Sequence, residues 1–340
     1  MDLPTAIQRT IDRDSLTADE MTAVMRTIMT GGATSAQIGG LLVGLRMKGE
    51  TVAEIAAAAG VMRELAEPVH AGVEGLVDTC GTGGDASGTL NVSTAAAFVA
   101  AAGGVPVAKH GNRSVSGRSG SADLLEALGG RVELSADAVG ECIRSVGVGF
   151  AFAPAHHSAM KHAVGPRKEL GVRTLFNLLG PLTNPAGARR QILGVFGPEW
   201  VRPVAEVLRE LGSDHVLVVH AEDGLDEISI GAPTRVAELR DGEVTESTIT
   251  PEDLGVRKAP LHEVTVAGVA DSKAMVEAAF RGERNAPAEL IAVNAAAALY
   301  VGGRVPDLAS GVARARELMA DGSAAERVAR FAATTQELAG

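Results

Sequence analysis

With 340 residues, 46% of them hydrophobic and 21% charged, the chain carries enough apolar material for one large domain or two smaller ones. A formal net charge of −11 repels nucleic acid, and 3% aromatics leave few rings on which bases could stack, so no nucleic-acid partner is expected. Met1-Asp2-Leu3-Pro4 lacks the basic and apolar stretches of a secretory signal, and Cys80 and Cys142 show no C-x-x-C spacing, which together predict a reduced, cytoplasmic chain.

The first 70 residues read as helices. Thr17 with Glu20, Thr34 with Gln37 and Thr51 with Glu54 each fit the capping box, in which a hydroxyl and a carboxylate or amide satisfy orphan amides at a helix start. Each precedes an apolar run of helical spacing, such as Met21, Val24, Met25 and Ile28, and Gly31-Gly32 and Gly49 stand where helices would end. From Leu76 the pattern changes to short β-rich runs alternating with helices. Strands are predicted at 76–79, 105–108, 131–134, 148–152, 191–196 and 215–220, with helices at 91–102, 122–128 and 200–211. The longest charge-free stretch, 86–108, contains Thr89, Asn91, Ser93, Thr94, two adjacent glycines and Pro106, which excludes a membrane span. A hairpin is predicted from 235–240 and 243–249 around Asp241-Gly242, and two Ala-rich helices at 272–281 and 288–301 complete the large domain. The alternation gives an α/β fold class: a small, mainly helical domain plus a large α/β domain whose central, largely parallel sheet is flanked by helices.

The segment Asp78-Thr79-Cys80-Gly81-Thr82-Gly83-Gly84-Asp85 places three glycines after a strand and before a helix, where backbone and free amides can approach an anion. A bare strand-to-helix turn explains the glycines equally well. A P-loop is excluded because no lysine follows Gly88, and the dinucleotide fingerprint lacks an acidic residue about 20 positions on. Asp85 is out of place beside a bare phosphate, but it suits a magnesium-bound sugar diphosphate. Ser93 and Thr94 lie in the first turn of the following helix as possible hydroxyl ligands, or simply as caps.

The glycine loop, the segment Lys109-His110-Gly111-Asn112-Arg113-Ser114 with 116–123 behind it, Gly165-Pro166-Arg167, and Asp226-Glu227 occur in an order that resembles the anthranilate phosphoribosyltransferases. The match spans about 78 to 230. It implies a helical domain of 1–70 plus about 158–185, on the dimerisation and anthranilate side of a cleft, and an α/β domain of 71–157 and 186–340 that binds phosphoribosyl pyrophosphate. It further implies a homodimer, a place in tryptophan biosynthesis, and a metal-dependent transferase using two magnesium ions per active site. The resemblance assigns Gly81, Gly84, Asp85, Thr89, Asn91, Val92, Ser93, Thr94, Lys109, Asn112, Ser114 and Ser121 to phosphoribosyl pyrophosphate. It assigns Gly81, Asn112 and Arg167 to anthranilate, and Ser93, Asp226 and Glu227 to magnesium. The chain departs from the family wording at Ala86, Leu90 and Val92, which are backbone or packing positions, and also at Ser114 and Gly117.

The implied chemistry fits these residue types. Pyrophosphate leaves more easily when its growing charge is neutralised by magnesium, for which adjacent carboxylates are hard oxygen ligands. An aniline-type amine is already neutral, so no acid or base residue is nominated, and His110, His156 and His157 are read as structural. Arg167 can meet a benzoate carboxylate with two hydrogen bonds. The rival readings are a pyrimidine nucleoside phosphorylase, which would lack the acidic metal pair, and a non-catalytic nucleic-acid-binding relative, which would need a basic groove.

Overall fold

The computed structural model describes residues 1–113 and 119–339. Four helices begin the chain: α1 (Leu3–Ile11), α2 (Ala18–Met29), α3 (Ser35–Lys48) and α4 (Val52–Glu64). All three expected capping boxes form, with Thr17, Thr34 and Thr51 as N-caps, and Gly49 closes α3 at φ 93°. Helix α2 buries Met21, Val24, Met25 and Ile28, the face its apolar spacing required.

Among the described residues, seven strands and eleven α-helices follow: β1 (Val77–Asp78), α5 (Val92–Ala102), β2 (Val107–Gly111), α6 (Ser121–Ala127), α7 (Ala136–Val146), β3 (Val148–Phe152), α8 (Ala153–His156), α9 (Lys161–Leu170), α10 (Phe176–Leu179), β4 (Arg190–Gly194), α11 (Val201–Glu210), β5 (His215–Ala221), β6 (Thr234–Arg240), β7 (Glu243–Ile249), α12 (Val269–Phe280), α13 (Ala286–Val301), α14 (Leu308–Ala320) and α15 (Ser323–Leu338). The sheet order is β3-β2-β1-β4-β5-β6-β7; the first five strands are parallel, and β6 and β7 are antiparallel additions. Asp241 (φ 53°) and Gly242 (φ 81°) make the expected hairpin turn between β6 and β7. Strand β7 is an edge, mostly exposed, and carries Glu243 and Glu246.

Two expectations need correction. Residues 131–134 form no strand; Val132 and Leu134 are buried, but the segment has no ladder partner among the described residues. The large domain also does not finish at α13, because α14 and α15 lie beyond it.

The sheet has two buried faces. Along β4 and β5, Ile192, Leu217 and Val219 enter one core with α5 and α13, while Leu193, Val216 and Val218 enter another with the N-terminal helices and α11. Ala163 of α9 and Leu175, Phe176, Leu178 and Leu179 at α10 share that second core, so the segment between β3 and β4 folds back onto the first four helices. Helices α5 and α13 are apolar nearly all round and made largely of alanine, which lets both lie deep under the sheet.

Candidate active site

Strand β1 lies at the centre of the sheet. From it the chain winds outward to β2 and β3 on one side, then returns to β4 and β5 on the other. The crevice beyond the carboxyl ends of β1 and β4 is therefore the topological switch point, where open parallel sheets place their ligands. The glycine loop leaves β1 at this point. Gly83, Ala86 and Gly88 have φ near 60°, and Gly84 78°, so the loop curls with left-handed steps that side chains resist. It rests on the end of β4: the Thr82 amide donates to Gly194 O at 2.8 Å, and the Phe196 amide donates to Thr82 Oγ1 at 3.0 Å. Asp226 Oδ2 accepts the Gly83 amide at 2.8 Å, and a side chain on Gly194 would collide with the Asp226 main chain. Glycine at 194 is thus what lets the acidic pair reach the loop.

The loop continues through Asp85, which accepts the Ser87 amide at 3.2 Å, and Thr89, which bridges to Thr265. Asn91 then begins α5. Its side-chain oxygen accepts from Ser119 and Ser272 hydroxyls at 2.7 and 2.8 Å, which fixes the start of the helix. Val92 and Thr94 are buried, and the Thr94 hydroxyl has no partner among the described residues. Ser93 accepts from Lys109 Nζ at 3.2 Å, and Lys109, only 3% exposed, also donates to Thr79 O at 3.3 Å. A buried ammonium is thereby aimed at the first turn of α5.

Opposite the loop stand Asp226 and Glu227, both half-buried. Burial pushes Asp226 up to about 7, with the Asp85 carboxylate adding to the rise. Glu227 is pushed well up by burial and by Asp226, against the pull of Lys109, and it accepts the Ser93 amide. Crowded carboxylates of this kind are relieved by a cation set between them. Hard oxygen donors from Asp226, Glu227 and Ser93 fit magnesium.

Asn112 lies at the end of β2 with its side-chain oxygen accepting the Arg113 amide at 2.7 Å, and Ser121 opens α6 beside it. Ser114 lies outside the described residues. Arg167 lies on α9. It is half-buried, its guanidinium lies 5.1 Å from the Phe176 ring centre, and it pairs with no carboxylate among the described residues. The structure therefore brings the glycine loop, Lys109, Ser93 and the acidic pair into one crevice, while Arg167 lies on α9, which packs against α2 and α3.

Three residues of the site escape a reading of the sequence. Asp78 is fully buried and pushed up to about 6 by that burial; it accepts the His110 amide at 3.1 Å and Asn184 Nδ2 at 2.8 Å, tying β1 to β2 and to the segment before β4. Asn184 also donates to Ala108 O at 2.7 Å. Arg173 reaches the glycine loop from between α9 and α10, where it donates to Gly84 O. None has a local signal, since each acts through partners far along the chain. The imidazoles of His110 and His157 sit 5.1 Å apart; burial pushes them down to about 3 and about 4, so both are neutral and poor proton carriers at neutral pH.

A helical unit beside an α/β unit, with an anion loop at the sheet's switch point, is the plan of a glycosyl transferase. The helical bundle domain of the glycosyl transferase family matches residues 4–66, and the a/b domain of that family matches 73–325. An anthranilate phosphoribosyltransferase of Halorhodospira halophila is 74% identical over 341 residues, with 100% of both chains covered. The crystal structure of the anthranilate phosphoribosyltransferase from Thermus thermophilus gives a TM-score of 0.92 at 47% identity, covering 97% of this chain and 99% of that one. The Saccharomyces cerevisiae enzyme in complex with PRPP and Mg shares the fold at TM-score 0.89 and 24% identity, covering 99% and 98%. The chain belongs to the anthranilate phosphoribosyltransferase family.

Proposed function

We propose that this chain transfers the phosphoribosyl group of phosphoribosyl pyrophosphate to the amine of anthranilate, giving N-(5-phosphoribosyl)anthranilate and pyrophosphate. The observation that carries the reading is the meeting of glycine loop, buried Lys109 and acidic pair in one crevice, in a chain 74% identical throughout to an anthranilate phosphoribosyltransferase. The phosphorylase reading would leave Asp226 and Glu227 without a task.

The C1–oxygen bond to pyrophosphate breaks as the amine nitrogen bonds to C1, and the nitrogen then sheds a proton. Loop amides around Gly81 and Gly84, the amides that begin α5, and Lys109 hold the phosphate oxygens. Asp85 and Asn91 orient the sugar, with Thr89, Asn112 and Ser121 lining its path. Arg167 takes the anthranilate carboxylate bidentately while Asn112 directs the ring, so the neutral amine faces C1. Asp226, Glu227 and Ser93 would hold magnesium, two ions per site, whose charge would neutralise that growing on the leaving pyrophosphate. Rate comes from positioning and electrostatics rather than from a dedicated base.

The division into 1–70 with 158–185, and 71–157 with 186–340, is part of the proposal, because Arg167 then approaches the sugar from a separate unit. So is a homodimer through the helical unit: Ile11, Val43 and Met47 of α1 and α3 are 63%, 37% and 70% exposed. The test is anthranilate fluorescence. It should fall only with phosphoribosyl pyrophosphate and magnesium together, and Asp226→Ala with Glu227→Ala should abolish the fall; undiminished turnover in that double variant removes the metal assignment.

A further inference from the structure

We propose that Arg173 is a positioning residue, a clamp by which the helical side of the cleft holds the glycine loop in its donor-binding shape. This rests on the reading that the loop receives phosphoribosyl pyrophosphate. Arg173 lies on the connection between α9 and α10, whose ends are buried in the core of the N-terminal helices. Its guanidinium crosses the cleft and grips the opposite wall at two places. Nη2 donates to the carbonyl of Gly84, and the guanidinium carbon lies 4.5 Å from the centre of the Phe196 ring. Phe196 is not an independent support, because its amide donates to Thr82 Oγ1 at 3.0 Å. Both grips therefore act on the same turn, Thr82 to Gly84.

The geometry has a direct consequence for an anion. Gly83 and Gly84 take φ of 63° and 78°, left-handed backbone in which glycine leaves the direction of the peptide groups to be set by their partners. A flexible glycine pair reverses such a peptide easily. A cation bonded to the Gly84 carbonyl keeps that oxygen turned to the helical side, away from the phosphates, and stacking on Phe196 keeps the cation in place. Arg173 is exposed and makes no ion pair among the described residues, so nothing else there accounts for its placement. It touches neither reacting group; its effect passes through the loop.

The structure also supplies a reporter. Trp200 is the single tryptophan of the chain, and its ring lies 6.5 Å from that of Phe196, edge to face. Movement of the clamp on donor binding should therefore change Trp200 emission, and phosphoribosyl pyrophosphate with magnesium can be titrated without anthranilate, whose own fluorescence would interfere.

The experiment compares Arg173→Met, Arg173→Lys and Phe196→Leu in the full-length protein. Losing a hydrogen bond from a charged donor should raise KM for the donor about tenfold in Arg173→Met, with KM for anthranilate unchanged and kcat little altered. Arg173→Lys restores the donor to Gly84 O without the planar stack and should recover part of the loss. Phe196→Leu should show a smaller rise. The Trp200 response to phosphoribosyl pyrophosphate and magnesium should shift to higher concentration by the same factor in Arg173→Met. An unchanged donor KM and an unchanged titration in Arg173→Met would overturn the clamp, and so would equal rises in both KM values. A wild-type chain with no turnover on these substrates would instead defeat the functional reading on which the clamp rests.

Discussion

Asp226 accepts the Gly83 amide, faces Asp85, and sits where Gly194 makes room for its backbone. In the metal-free protein this carboxyl keeps its proton to about pH 7, whereas an unfolded chain releases it near the ordinary 3.8. Between those values the folded state binds more protons than the unfolded one, so stability falls as pH rises through that window and levels off above it. Asp226→Asn removes the ionisation but keeps an acceptor for Gly83. Its thermal unfolding in a chelator should decline less steeply than wild type, because Glu227 and Asp78 remain raised by burial, and should lie above wild type at pH 8. A melting curve that falls with pH as steeply as wild type would mean that Asp226 is not the group responsible. Among single residues, Gly81 stands out in the sequence as part of a glycine turn, while Lys109 and the acidic pair are singled out by the family resemblance. Asp78, Asn184 and Arg173 are not, since a buried Asp or an exposed Arg reads the same in any sequence until its distant partner is known.

Helix α4 shows how far an element can be read ahead of its structure. Its capping box is visible as Thr51 with Glu54, but Glu54 does more than cap. Fully buried, it accepts the amides of Leu16 and Thr51 at 2.8 Å each, and pairs with Lys48 Nζ at 2.8 Å. One carboxylate thus joins the connection before α2, the end of α3 and the start of α4. Glu54→Ala leaves a nearly buried ammonium unpaired and should cost about 3–5 kcal/mol in urea denaturation; Glu54→Gln, which keeps an acceptor, should cost less. A loss in Glu54→Ala no larger than that of an ordinary cap would show the pair to be dispensable. Elements with strong local chemistry, such as capped helices and the Asp-Gly hairpin, stand where the sequence predicts them. Residues 131–134 alternate apolar and polar like a strand, and Val132 and Leu134 are indeed buried, but alternation records burial and not whether a neighbouring strand offers hydrogen bonds. Helices α14 and α15 escape sequence reading because their buried faces include small or polar positions such as Gly311, Ala315, Ala324 and Thr335.

At the scale of the whole molecule, fold class follows from the alternation of strands and helices, and the switch point then dictates where the ligand must lie. What no single-chain pattern encodes is which surface meets a second copy. On the homodimer proposed through the helical unit, where Ile11, Val43 and Met47 are exposed, Met47→Glu should shift sedimentation equilibrium toward monomer while leaving circular dichroism unchanged. A variant that sediments as wild type would place the contact elsewhere.

The outermost strand, β7, bears on the same question. Its glutamates set like charges against any identical border that tried to zip alongside it, which makes sideways growth of the sheet costly. With that route discouraged, the pairing proposed through the helical unit would stop at two copies, because a two-fold contact occupies the same surface of each. A closed pair of that kind would not seed fibres.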